Sequence, residues 1–345
     1  MSSKMDALMS EVNKKVKEEI ISKGLADFSG YKKIPFTSPR INYSSYGGVP
    51  VGKLIEFYGA EHGGKTTSAL DIVANFQKIE KQRAEENSKY TPKDVLYCDV
   101  ENSLDSEWAE KLGVDTDSMY LLQPKAQSAE DIFNLITDAI ETGDIGLVIL
   151  DSIAAMVSED ELEKGYDDKS FGGISGPLSR FAKKVAMLTT KYSCTLIGIN
   201  QVRDDVNSTW GGYKTPGGRA WKHMCVARFE FSKGKYLDDK GNDLTNGTES
   251  PAAMKIMYTM PKNKTCPPNR RTGFYTINFD IGVDYLADLI EVAMKYGIVI
   301  KSGAWFTIPQ LTDEKIQGQG NVKTYLEEHP DILEGLDDLV KEQIK

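Results

Sequence analysis

The chain has 345 residues, 40% of them hydrophobic and 27% charged, with a formal net charge of −9. That length suits one large domain, or one domain with appendages, able to bury a core without disulfides or metal. The acidic balance argues against a uniformly basic nucleic-acid coat but is compatible with a locally basic groove, so the placement of lysine and arginine decides.

Cys98, Cys194, Cys225 and Cys266 are scattered without CxxC or metal spacing. Cys98 and Cys194 sit in apolar runs and read as small core residues, a usage that fits a reducing compartment. The first fifteen residues are polar and carry no apolar signal core, and no run of about 18 apolar residues occurs. The expected location is the cytoplasm.

In chain order, Leu8, Val12, Val16 and Ile20 recur every four residues and predict an amphipathic helix over 5–23. The spacing gives an apolar face without an address, and a separate arm or a helix folded onto its own core satisfies it equally. A loop-rich stretch with Pro35, Pro39 and Gly47-Gly48 follows. From Lys53 the pattern changes to strand 53–58, a glycine-rich loop, helix 65–84, strand 95–100, helix 130–142, strand 147–150, helix 178–191 and strand 195–200. Alternation of this kind predicts an α/β fold with a parallel sheet. After Arg228 the chain reads as β-rich, with strands expected at 252–260 and 273–280, and it turns helical from Asp284 as a small C-terminal unit.

The segment Gly59-Ala60-Glu61-His62-Gly63-Gly64-Lys65-Thr66 satisfies GxxxxGK[ST], follows an expected strand and opens an expected helix. Glycines there let backbone N–H groups face phosphate oxygens, and the helix N-terminus adds positive potential. Lys65 is expected at the β/γ-phosphates of ATP and Thr66 on Mg²⁺. Asp151, closing strand 147–150, suits the Mg²⁺ side, with a helix N-cap as the plain alternative. Asp99 and Glu101 both stand at the end of strand 95–100 and compete for the role of positioning the attacking water; alternation puts them on one face and does not separate them. Gln201, after strand 195–200, is either a γ-phosphate sensor or an ordinary loop amide.

Residues 46–345 resemble the RecA family of DNA strand-exchange recombinases. The likeness rests on Gly-Lys-Leu-Ile-Glu-Phe-Tyr-Gly at 52–59, Tyr-Cys-Asp-Val-Glu-Asn-Ser-Leu-Asp at 97–105 and Lys-Leu-Gly-Val-Asp at 111–115. It continues through Leu-Asp-Ser-Ile-Ala-Ala at 150–155, Ile-Asn-Gln-Val-Arg at 199–203, Gly-Gly-Arg-Ala-Trp-Lys at 217–222 and Pro-Lys-Asn-Lys at 261–264. Ser302 to Phe306, Gln317 to Gly320 and Tyr325-Leu326 resemble the family's C-terminal domain.

The resemblance implies a RecA-type P-loop core with a mostly parallel sheet at 46–282 and a small C-terminal α/β domain at 283–345; residues 1–45, which match the family poorly, are expected to form an N-terminal helix and linker that serve as an oligomerisation arm. It implies ATP bound by Gly59, Glu61, His62, Gly63, Gly64, Lys65, Thr66 and Thr67, with Asp105 and Trp108 at the adenine. It makes Glu101 the catalytic glutamate and Gln201 the γ-phosphate sensor. Lys262 and Lys264 would reach ATP from the adjacent subunit. Two loops correspond to DNA-binding loops: 164–177, with Ser170, Phe171 and Gly172, and 203–218, with Arg203, Trp210, Gly211, Gly212, Lys214, Gly217 and Gly218, followed by Arg219. The second loop and its flank mix cations with Trp210, Tyr213 and Trp221, a composition suited to phosphates and stacked bases.

The implied function is an ATP-dependent recombinase that forms a helical filament on single-stranded DNA and pairs it with double-stranded DNA. The alternatives are a ring ATPase of the same fold, such as a hexameric helicase, and a DNA-coating protein without turnover. The sequence departs from the family in lacking an arginine near Gly176, in placing Asp204 and Asp205 beside Arg203, and in ending Val-Lys-Glu-Gln-Ile-Lys where the family carries an acidic tail. This compact, divergent form fits a bacteriophage-encoded member.

Overall fold

The computed structural model describes residues 4–16, 31–164, 173–204, 213–239, 241, 243–244 and 250–344. The chain divides into two units, Met1–Tyr31 and Lys32–Lys345. In the first unit, the helix Lys4–Val16 buries none of its residues; the rest of the expected 5–23 helix lies outside the described residues.

In the second unit a short strand, Lys33–Ile34, pairs antiparallel with Val49–Pro50. Between them runs the helix Pro39–Ser45, where the sequence suggested only loop. Its start is encoded by Ser38, whose side chain accepts from Arg40 N, and by proline at the first helical position.

Nine strands form the central sheet: β1 (Leu54–Gly59), β2 (Asp94–Asp99), β3 (Met119–Leu122), β4 (Ile145–Asp151), β5 (Thr195–Gln201), β6 (Ala227–Leu237), β7 (Ala253–Asn263), β8 (Thr272–Asn278) and β9 (Gly282–Val283). Their spatial order is β9-β8-β7-β6-β1-β5-β4-β2-β3. The six strands from β6 to β3 are parallel, and β7, β8 and β9 continue the sheet antiparallel.

Every residue of β1 and of β4 is buried, so both faces of the parallel region are covered. Alternation divides their side chains between two cores. Ile55, Phe57, Leu147 and Ile149 meet Ile72, Val73 and Phe76 of the helix Lys65–Glu86 on one face. Leu54, Val148 and Leu150 meet the helices Ala129–Glu141 and Ser175–Tyr192 on the other, through Ile132, Ile136, Leu178 and Phe181. The sheet is thereby held between two layers, and the parallel strands deliver their carboxyl ends to one edge.

The C-terminal part builds its own core from Leu289, Val292, Phe306, Val322 and Leu336. Helices Tyr285–Lys295, Gln319–Glu328 and Pro330–Ile344 pack there with a three-stranded antiparallel sheet, Ile300–Ser302, Trp305–Ile308 and Thr312–Gln317.

A buried charge cluster ties this part to the rest of the second unit. Arg40 Nε stands 2.9 Å from Asp288 Oδ1, an ion-pair approach in which the N–H is not aimed at the oxygen. Arg40 also meets Glu291 at 3.3 Å and lies 4.0 Å over the Phe274 ring. Ser38 donates to the second oxygen of Asp288. Burial pushes the Asp288 carboxyl up to about 7, with Arg40 and Ser38 opposing the rise and Asp284 adding to it.

The folded value lies above the ordinary carboxylate value of 3.8. The folded state therefore binds the extra proton, and this site's contribution is full below the ordinary value and is lost as pH rises through about 7. Removing the cation raises the folded value further. Arg40→Met is therefore expected to destabilise by about 3 kcal/mol at alkaline pH, where Asp288 becomes a buried unpaired charge. The deficit should shrink at acidic pH, where the carboxyl is protonated in both proteins. Urea midpoints at the two pH values check this; a deficit independent of pH would assign the loss to packing alone.

Candidate nucleotide and DNA site

The P-loop joins β1 to the helix Lys65–Glu86, at the carboxyl edge of the parallel strands. A Cβ on Gly59 would stand 1.9 Å from the Phe231 carbonyl oxygen, and one on Gly64, where φ is +87°, would stand 2.8 Å from the Ile256 side chain. The loop can run this close to β6 and β7 only with glycine at those places. Lys65 is buried, and its Nζ donates to the Ala60 carbonyl at 2.6 Å. Burial holds its pKa below the ordinary lysine value, partly offset by Asp151, Glu101 and Glu61.

Thr66 Oγ1 and Tyr97 OH each donate to Asp151 Oδ2 at 2.9 Å. Burial raises the Asp151 pKa; the two hydroxyl donors oppose the rise, and the charges of Glu101 and Asp99 add to it. A cation at this place would remove that penalty, and a threonine hydroxyl beside a carboxylate is the oxygen donor pair that Mg²⁺ takes when phosphate and water complete its shell. Among the described residues no group of three or more His, Cys, Asp or Glu could hold a metal alone, so a metal here would depend on ligands from the nucleotide.

The pairing of Asp99 and Glu101 resolves differently from the expectation. Strand β2 ends at Asp99, one residue earlier than expected, so Glu101 lies in the following turn and alternation does not apply to it. The Asp99 carboxylate is buried and committed to Ser103 N, Leu104 N and Gln123 Nε2. Glu101 is exposed, and its Oε1 accepts from Ser152 Oγ and, at 3.3 Å, from Gln201 Nε2. Of the two, Glu101 is the carboxylate open to solvent, and both of its hydrogen bonds fall on Oε1.

A cavity of 670 Å³ opens beside His62, Gly63, Gly64, Lys65, Thr66 and Thr67. Trp108 forms part of its wall and donates from Nε1 to Thr67 Oγ1 at 3.3 Å. Asp105 N-caps the helix Ser106–Lys111 by accepting from Trp108 N, and neither it nor the exposed Glu61 is among the lining residues. Sequence reasoning missed Lys233, Tyr236, Met254 and Phe279, which complete the wall from β6, β7 and the end of β8. No spacing marks them, because they become neighbours of the P-loop only when β6 pairs with β1 and β7 and β8 extend the sheet beyond it. Tyr97 and Ser152, the partners of Asp151 and Glu101, were missed in the same way.

Lys262 Nζ donates to the carbonyls of Lys222 and His223 at 2.7 and 2.9 Å, and Lys264 is exposed. Lys262 pairs with Arg228 at the start of β6, whereas the P-loop abuts Phe231 and the wall residues lie farther along. The offset of at least three residues is about 10 Å of strand. Both lysines thus stand away from the lining of their own subunit's cavity.

In the candidate DNA loops, Ser170, Phe171, Gly172, Trp210, Gly211 and Gly212 lie outside the described residues. Arg203–Asp204 and Tyr213–Lys214 form an antiparallel pair at the stem of the second loop, next to Gln201 at the end of β5. Arg203 Nη2 donates to the Ala154 carbonyl at 3.4 Å. Gly217 is the N-cap and Gly218 the first residue of the helix Gly218–Met224, on which Arg219 is exposed. Trp221 corrects the expectation from composition: it is 0% exposed and packs among Leu178, Ile153 and Cys225, with its ring against Gly198, so it serves the core and is no stacking platform.

The RecA N-terminal domain description matches residues 3–284, and the RecA C-terminal domain description matches residues 287–345. The chain is 35% identical over 297 residues to protein RecA of Ruminococcus albus, covering 86% of this chain and 68% of that protein. It is 33% identical over 298 residues to protein RecA of Aquifex aeolicus, covering 86% and 79%. Protein RecA of Streptomyces rimosus is 29% identical over 343 residues, covering 99% and 85%.

Proposed function

This chain belongs to the RecA family, and from that membership we propose that it is an ATP-driven recombinase that assembles on single-stranded DNA and pairs it with a homologous duplex. The observation that carries the ATP reading is the convergence of Lys65, Thr66, Asp151, Glu101 and Gln201 at one sheet edge, joined by the Thr66–Asp151 and Gln201–Glu101 hydrogen bonds.

In this reading the P-loop amides and Lys65 hold the phosphates, and Trp108 meets the base from the cavity wall. Mg²⁺, held by Thr66 and Asp151, would neutralise charge developing on the phosphates. Glu101 orients the attacking water and takes its proton at a carboxylate oxygen. Gln201 links that carboxylate to the second DNA loop, since Arg203 follows two residues later. The arm expected at 1–45 is proposed only for the separate unit 1–31, because Ile34, Phe36 and Ile41 are buried in the main core; the ATPase core then runs to 282, and 283–345 serve as the C-terminal domain. The DNA contacts come from the two loops, with Arg203, Lys214 and Arg219 on phosphates and Trp210 on bases. Among the described residues no helix is long and apolar enough to cross a membrane, and the reading places the protein in the cytoplasm with its DNA. Identity of 29–35% to the bacterial proteins marks a divergent member, and we propose that it is bacteriophage-encoded.

A ring-forming ATPase of the same fold is not favoured, because the match runs on through the C-terminal domain. Electron microscopy with ATP and single-stranded DNA separates the two geometries. Open helical filaments are expected, together with phosphate release that depends on DNA; closed rings would overturn the filament reading.

A further inference from the structure

Two chains of polar side chains connect the stem of the second loop to β1, the strand that opens into the P-loop. In the first, Tyr213 OH donates to Glu230 Oε1, and Tyr58 OH donates to Oε2 of the same carboxylate at 3.2 Å. Tyr58 immediately precedes Gly59. In the second, Asn200 Nδ2 donates to Glu56 Oε1 at 3.0 Å and to the Pro216 carbonyl at 3.1 Å. Arg228 joins the two, donating from Nε to Glu56 Oε2 with its guanidinium 4.4 Å over the Tyr58 ring. Glu56 and Asn200 are fully buried, so neither can exchange a partner for water without a large penalty. Residue 201 follows Asn200 and donates to Glu101.

The network thus touches the nucleotide site at Gly59 and Gln201 and the loop stem at Tyr213 and Pro216. Tyr213 is the most exposed member of the network, at 58%, yet its hydroxyl is held by the Glu230 carboxylate. The bond to Glu230 is the first cause raising the Tyr213 pKa, so the phenol stays protonated and donating.

We infer that Tyr213, Glu230 and Tyr58 are positioning residues that couple the nucleotide at the P-loop to the stem of the DNA-binding loop. This rests on the ATP and DNA reading of the site given above. A passive staple at the same place would alter DNA binding by the same factor whichever nucleotide is bound. A coupling element alters the ratio between nucleotides, and by linkage it alters the reciprocal ratio equally.

The test is Tyr213→Phe, which removes one hydroxyl and keeps the ring. Affinity for single-stranded DNA is measured with a slowly hydrolysed ATP analogue and with ADP, and affinity for each nucleotide is measured with and without DNA. A hydrogen bond to a carboxylate corresponds to about a tenfold effect or more. The factor by which the ATP analogue favours DNA over the ADP state should fall about tenfold, or to near unity if it is smaller than that in the wild type. The factor by which DNA favours the ATP analogue over ADP should fall by the same amount. Glu230→Gln retains one acceptor oxygen and should fall less. A ratio equal to wild type in Tyr213→Phe would overturn the inference, as would DNA affinity lost equally with both nucleotides. If wild-type DNA affinity ignores the nucleotide altogether, the ATP-driven reading itself fails, an outcome visible before any variant is made.

Discussion

Glu101→Gln is expected to bind ATP as the wild type does and to lose about 10²–10⁴-fold in DNA-dependent hydrolysis. The exchange keeps size and shape. Glu101 Oε1 accepts from Ser152 Oγ and Gln201 Nε2, and an amide oxygen can accept both, so the turn and its neighbours should stay in place. What disappears is the negative charge and the capacity to take a proton from water. Phosphate release with single-stranded DNA measures the loss, and a fluorescent nucleotide measures binding. Turnover at the wild-type rate would remove Glu101 from this role. Asp99 is the natural contrast. Its carboxylate holds two backbone amides and Gln123, so Asp99→Asn should act by loosening the 100–104 turn and should impair nucleotide binding together with turnover.

The legible parts of this site are those whose chemistry demands a fixed local spacing. The P-loop was readable because phosphate binding needs glycines, a lysine and a hydroxyl within eight residues, and the flanking β1 and helix Lys65–Glu86 begin within a residue of expectation. Asp151 was readable for a related reason, a carboxylate ending an apolar run. The helix Pro39–Ser45 was hidden because Pro39 reads as a breaker unless Ser38 is recognised as its cap. The C-terminal strand Ile300–Ser302 was hidden because it is three residues long and exposed throughout, leaving no burial pattern to detect. The Asp99–Glu101 ambiguity came from extending β2 one residue too far, which treated a turn residue as part of a pleat. Trp221 misled because composition counts an aromatic among cations without saying which way it faces. The cavity wall from Lys233, Tyr236 and Phe279 required strand pairing over long separations, and nothing local records it.

Two inactive variants are expected to restore activity to each other when mixed. Lys65→Ala lacks the P-loop cation. Lys262→Ala/Lys264→Ala lacks the pair of lysines at the start of the β6–β7 ladder, which lies about 10 Å of strand from its own P-loop wall. If those lysines act on a neighbour's ATP, hydrolysis depends on assembly, as it does where a cation is supplied in trans. Head-to-tail contacts are directional, so in an equimolar random filament roughly a quarter of interfaces join an intact P-loop to intact lysines. DNA-dependent phosphate release should reappear at up to about that fraction of the wild-type rate. The competing structural role is visible in the fold: Lys262 caps the carbonyls of Lys222 and His223 at the end of the helix Gly218–Met224. A cation at a helix C-terminus is worth about 0.3–1 kcal/mol at an accessible site, too little to abolish turnover. If capping were the whole role, the double variant would hydrolyse ATP normally by itself. If the lysines served their own subunit, both variants would stay inactive after mixing even though pull-down shows them in one assembly. Only recovery on mixing fits a nucleotide site completed by the adjacent subunit, and it would explain why neither lysine belongs to the lining of the cavity in its own chain.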